Sequence, residues 1–116
     1  MAKAKRSVQH PTKESECTLQ HVDRSCEVGW TDLCASQRNS CADLFDRVTA
    51  DPTHVDDPDK QHRLKGTLSP ATVVGVEYDQ WQYELGKGAR VWYVIDHATT
   101  TVFLTNVAAA HPNQTK

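Results

Sequence analysis

Arg63-Leu64-Lys65-Gly66, Trp81-Gln82-Tyr83-Glu84-Leu85, Arg90-Val91-Trp92-Tyr93 and His111-Pro112-Asn113-Gln114-Thr115-Lys116 set cations, aromatics and a histidine along the second half of this 116-residue chain. Such a set suits the grip of an RNA phosphate. Cleavage of RNA by its own 2′-hydroxyl needs a base for that proton, cations to neutralise the pentavalent phosphorane, and an acid to protonate the leaving 5′-oxygen. Histidine can serve either proton transfer because its pKa lies near neutrality, and the C-terminal half holds His62, His97 and His111. Arginine suits the phosphate better than lysine, since its planar fork donates two hydrogen bonds at once. Arg63 and Arg90 stand ahead on that ground, with Lys65, Lys87 and Lys116 as further cations. Trp81 and Trp92 offer rings on which bases could stack, at about 1–3 kcal/mol per base. In the absence of a ligand the same aromatics read as core, and Arg63, Lys65 and Arg90 as solvated charges or as salt-bridge partners of Glu84 and the acidic first half. His10, His21, His54 and His97 have no such company and read as ordinary histidines.

The positioning elements follow from periodicity and turn chemistry. Residues 1 to 16 are polar, rich in Lys and Ser and without periodicity, which predicts a flexible N-terminal arm ahead of one domain over 17–116. Cys17 to Val22 alternates like a short edge strand. From Trp30 the apolar positions Leu33, Cys34, Cys41, Leu44, Phe45 and Val48 fall at helical intervals. Arg38-Asn39-Ser40 interrupts them, and Ser40 with Asp43 three residues on predicts an N-cap, giving a helical hairpin over about 28–37 and 40–50. Asp51-Pro52 ends the second helix, and a loop continues to Lys60. The segments Val73–Tyr78, Trp81–Leu85, Arg90–Asp96 and Thr101–Val107 are rich in β-branched and aromatic residues and read as strands. Gly86-Lys87-Gly88 and Asp96-His97-Ala98-Thr99 are the turns between them. The expected fold is α+β, a helical hairpin packed on one face of a twisted antiparallel sheet of about four strands, with the other face free. Alternation sets Trp81, Tyr83 and Leu85 against Gln82 and Glu84, and Val91, Tyr93 and Ile95 against Arg90, Trp92 and Val94. Aromatics thus fall on both faces, and the covered one stays open at this point.

Charge is segregated. Net charge is −2, yet residues 17 to 59 hold three arginines against nine carboxylates, while residues 60 to 116 hold six cations against four carboxylates. A polyanion would meet the C-terminal half; the overall acidity opposes strong non-specific nucleic-acid binding. No apolar run approaches the roughly 18–20 residues of a membrane span, and no apolar segment follows Met1-Ala2-Lys3-Ala4-Lys5-Arg6 as in a signal peptide. A cytoplasmic protein with no membrane partner is expected. Cys17, Cys26, Cys34 and Cys41 include no Cys-x-x-Cys pair, so buried free thiols are expected ahead of a metal site with His21 or a disulfide. No cofactor is implied.

The order of helical hairpin, loop, Leu64-Lys65-Gly66, Trp81-x-Tyr83-Glu84-Leu85, glycine turn, Arg90-Val91-Trp92-Tyr93 and His111-Pro112 resembles the RelE/ParE superfamily of bacterial type II toxin–antitoxin toxins, on its RelE/YoeB-like side. The resemblance spans roughly residues 20 to 116 and rests on motif order. It implies a RelE-like fold, ribosome-dependent mRNA cleavage that inhibits translation, and neutralisation by a cognate antitoxin protein. Its partners would be that antitoxin, mRNA and the ribosome. Arg90 corresponds to the recurrent catalytic arginine and Lys65 to the basic residue of the Leu-Lys motif, both on the scissile phosphate. His111 matches a C-terminal histidine or polar group, although Pro112 follows where an aromatic is common. His62 lies near a position where relatives present a carboxylate base. The same superfamily also contains ParE-like toxins that poison DNA gyrase without nuclease activity, and a non-toxic antitoxin-binding remnant would share the fold.

Overall fold

The computed structural model describes residues 16–55 and 57–108. Its first strand, β1 (Thr18–His21), is followed by helices α1 (Arg24–Ser36) and α2 (Arg38–Ala50). Helix α1 begins four residues before the expected start, because the Asp23 side chain accepts from the Cys26 backbone N–H at 2.9 Å and so satisfies an N-terminal donor. Helix α2 also begins early. Its N-cap is Gln37, which makes no side-chain capping bond, and Ser40 lies inside the helix rather than capping it. The Gln37 side chain turns instead to the sheet and donates to the Gly86 carbonyl at 2.9 Å.

The chain then forms β2 (Gln61–Arg63), the hairpin β3 (Pro70–Val73) and β4 (Val76–Asp79), and the strands β5 (Trp81–Glu84), β6 (Arg90–Asp96) and β7 (Thr101–Ala108). The main sheet has five strands in the order β1-β7-β6-β5-β2. Strands β5, β6 and β7 pair antiparallel as expected, β2, which the sequence did not suggest as a strand, pairs antiparallel with β5 in place of residues 73–78, and β1 lies parallel to β7 at the edge, with Thr18 opposite Thr101. One expected strand divides. Residues 73–78 are two strands joined at Val74 (φ 50) and Gly75 (φ 78), since consecutive left-handed residues make a two-residue hairpin loop. The β-branched run reads as continuous only if Gly75 is given a strand role.

The helices cover one face. Leu33, Cys41, Leu44 and Val48 meet Tyr83, Leu85, Val91, Tyr93, Ile95, Val102 and Leu104 in a single buried cluster. Burial of that apolar surface, at about 25 cal/mol per Å², is the main stabilising term. Helix α1 approaches β7 closely at Gly29, where a Cβ would stand 2.9 Å from the Val107 carbonyl oxygen. Cys34 and Cys41, spaced like two turns of one helix, stand on separate helices, and among the described residues the cysteines are free.

The second face is not wholly free. The β4 strand packs against β6, and Val94, on that face, is fully buried. Where β4 packs against β6, desolvation and the Asp96 carboxylate raise the Tyr78 pKa. Among the described residues no helix is long and apolar enough to cross a membrane.

Candidate functional site

Strand register decides which candidates can act together. Gln82 stands opposite both His62 on β2 and Trp92 on β6, and Glu84 stands opposite Arg90. Cross-strand partners share a face, and these alternate with Tyr83 and Val91 of the helix-covered core. His62, Gln82, Glu84, Arg90 and Trp92 therefore share the face turned from the helices, at the end of β6 remote from Asp96.

Each of these side chains is held for a local reason. The Trp92 indole N–H donates to Gln82 Oε1 at 2.9 Å, which fixes the ring and leaves its π surface for contact. Next to Trp92, β7 carries an extra residue, Thr105, whose hydroxyl donates to Gln80 Oε1. Bulges of this kind re-aim side chains. His62 Nδ1 lies 3.1 Å from the Pro58 carbonyl oxygen. A carbonyl only accepts, so Nδ1 carries the proton and Nε2 of the neutral ring is the basic nitrogen. Arg90 is half-buried, and its Nε is a buried donor without a hydrogen-bond partner. Burying a cationic donor unpaired is costly, and the terminal nitrogens of the guanidinium, which are not sealed, are the ones an anion on this face could reach.

Two strand spacings and two residues separate His62 from Arg90, about 12 Å between Cα atoms. Both lie on that face, with Gln82 and Trp92 between them in register. The arrangement can bind an anion at the guanidinium, take up a proton at His62 Nε2 and stack a planar group on Trp92.

The other sequence candidates stand elsewhere. Trp81 is on the helix side, stacked on Tyr93 with centroids 6.2 Å apart and planes 15° apart, so it shares no surface with Arg90. Lys65 is exposed just past β2, where Leu64 N–H donates to Gln80, at the opposite end of β5 from Arg90. Four residues of strand, about 13 Å, intervene along the chain direction. Arg63 is exposed beside Asp79, with 3.6 Å between their charged atoms. Lys87 belongs to the turn Gly86–Gly88. Its side chain, His111, Lys116 and almost all of the expected arm lie outside the described residues.

Glu84 and Gln82 are the members that reasoning from single motifs overlooked. Alternation along Trp81–Leu85 separates them from the aromatics, but only the pairing register of β5 with β6 sets them beside Arg90 and Trp92.

The sequence matches no protein-family model and no characterised protein. The shared face of His62, Glu84, Arg90 and Trp92 is accordingly the basis for a functional reading.

Proposed function

We propose that this protein is the toxin of a toxin–antitoxin pair, a RelE-like endoribonuclease that cuts mRNA at the ribosome in the cytoplasm. The observation that carries the reading is Arg90, whose buried Nε is unpartnered on the face that also holds His62 and Trp92. The motif order of the sequence and an early helical hairpin packed on a mostly antiparallel sheet agree with it.

In this reading the Arg90 fork binds the scissile phosphate and stabilises charge as the phosphorane forms. His62 Nε2 removes the 2′-hydroxyl proton, held in the right tautomer by the Pro58 carbonyl. Glu84 faces the same space and is the alternative base. Trp92 stacks a base next to the bond that breaks. Lys65, at the other end of β5, serves a neighbouring phosphate of the strand. His111 keeps its sequence-based role as the acid for the 5′-oxygen. The antitoxin would lay an acidic segment across the same cationic face.

Mapping new 5′ ends by primer extension on translated mRNA tests the reading. Wild-type protein should produce them, and Arg90→Ala should cut about 10²–10³-fold more slowly, as for loss of one oxyanion donor. Intact mRNA with the wild-type protein sinks the nuclease assignment. DNA-damage signalling with intact mRNA would point to gyrase instead.

A further inference from the structure

A groove of about 400 Å³ runs between the second half of α2 and the segment that follows it, lined by Asp43, Asp46, Arg47, Asp51, His54 and Tyr83 among others. Past Arg47 and Tyr83 it continues into an extension of about 90 Å³ that reaches Asp57 and Lys60. Residues 43, 46, 47 and 50 form one face of α2 by helical spacing. The groove lies on the helix side of the sheet, away from Arg90.

Tyr83 is the unusual part of its wall. The residue is 8% exposed, yet its hydroxyl has no hydrogen-bond partner among the described residues. Tyr83 lines both the groove and its extension, and its hydroxyl is not among the atoms sealed from solvent. An unpaired, reachable phenolic oxygen on a residue that is itself nine-tenths buried is ready for a ligand donor.

The electrostatics select the sign of that ligand. Asp43, Asp46 and Asp51 bring three carboxylates against the single arginine of the main groove. Asp51 accepts from the Thr53 backbone N–H at 3.0 Å and from its hydroxyl at 2.9 Å, bonds that favour the ionised carboxylate. The groove also abuts the C-terminal end of α2, where the helix macrodipole is negative. We propose that this groove binds an alkylammonium group, the cation carried by polyamines and by lysine side chains, with Asp43 and Asp46 holding the charge and the Tyr83 oxygen accepting an N–H. The proposal is independent of the RNA-cleaving reading, because it uses neither His62 nor Arg90.

Amide chemical shifts of the full chain, followed during titration with spermidine and separately with a lysine-containing peptide, test it. Saturable binding is expected, mapping to α2 and β5. It should weaken about tenfold in the double variant Asp43→Asn with Asp46→Asn, as for two exposed ion pairs. Tyr83→Phe should weaken it about three- to tenfold, as for one hydrogen bond, and should leave the fold intact because no internal bond is lost. Tetramethylammonium, a cation without N–H donors, should not compete. Binding of spermidine alone identifies a polyamine site, and binding of the peptide alone identifies the lysine of a partner protein. Absence of both, or binding indifferent to these substitutions, overturns the proposal.

Discussion

The Tyr93 hydroxyl donates to the Pro52 carbonyl at 2.8 Å and accepts from Gln61 Nε2 at 2.9 Å, joining the centre of the sheet to the end of α2. One buried phenol thus anchors the loop that runs from the helices to β2. Tyr93→Phe removes both bonds, leaving Gln61 Nε2 and the Pro52 carbonyl only their own longer contact of 3.4 Å, and should destabilise the fold by about 1–3 kcal/mol. Urea unfolding measures this, and an unchanged midpoint would show that the loop is held by other contacts.

Alkaline pH should weaken the fold in a defined window. Burial, aided by Asp23, pushes the Cys26 thiol up to about 11, and burial, aided by Cys34, pushes the Cys41 thiol up to about 12, both from 9.0. Burial likewise raises the Tyr93 phenol above 10.0. The folded state then keeps protons that the unfolded chain releases, so this stability is complete below about pH 9 and is lost as pH climbs through the raised values. The urea midpoint should fall steadily between about pH 9 and 12. A midpoint constant across that range would contradict the burial of these groups.

Val74 is 90% exposed at φ 50, a left-handed conformation that costs a β-branched residue about 1–2 kcal/mol. Val74→Asn relieves the strain without removing buried contacts, because asparagine tolerates that region. The variant should gain about 1 kcal/mol, seen as a melting temperature several degrees higher. A loss of stability would mean that Val74 is covered in solution.

Arg90 should separate function from stability. Its Nε has no internal partner, so Arg90→Met removes an unpaired donor and should hold stability within about 0.5 kcal/mol of wild type or raise it, as replacing buried charge often does. RNA cleavage should fall in the same variant. Thermal unfolding run alongside the cleavage assay distinguishes this from a structural arginine, whose loss would lower both.

The strands β5 to β7 were legible because their β-branched and aromatic runs are bounded by glycine and aspartate turns, and Leu33, Leu44 and Val48 keep helical spacing. Where local signals compete, sequence was a poorer guide. Asp23, whose carboxylate meets a free N–H, starts α1 ahead of the apolar periodicity, α2 starts at Gln37 without a side-chain cap although Ser40 offered one, and the Val74-Gly75 turn is masked by valines on both sides. The site was half visible. Arg90, His62 and Trp92 have suitable chemistry in isolation, but Trp81 has the same chemistry and lies on the other face. Register, a long-range property, separates the two tryptophans.

The parallel pairing of β1 with β7 has a temporal side. Leu19 finds its neighbour Val102, and Gly29 its close approach to Val107, only after more than seventy further residues have been joined. During synthesis β1 and the helices therefore wait without a sheet to pack on, and this fold closes only once β7 has left the ribosome. For a protein proposed to act on the ribosome, competence would arrive only with β7, giving a partner made at the same time its opportunity to capture the newly closed fold.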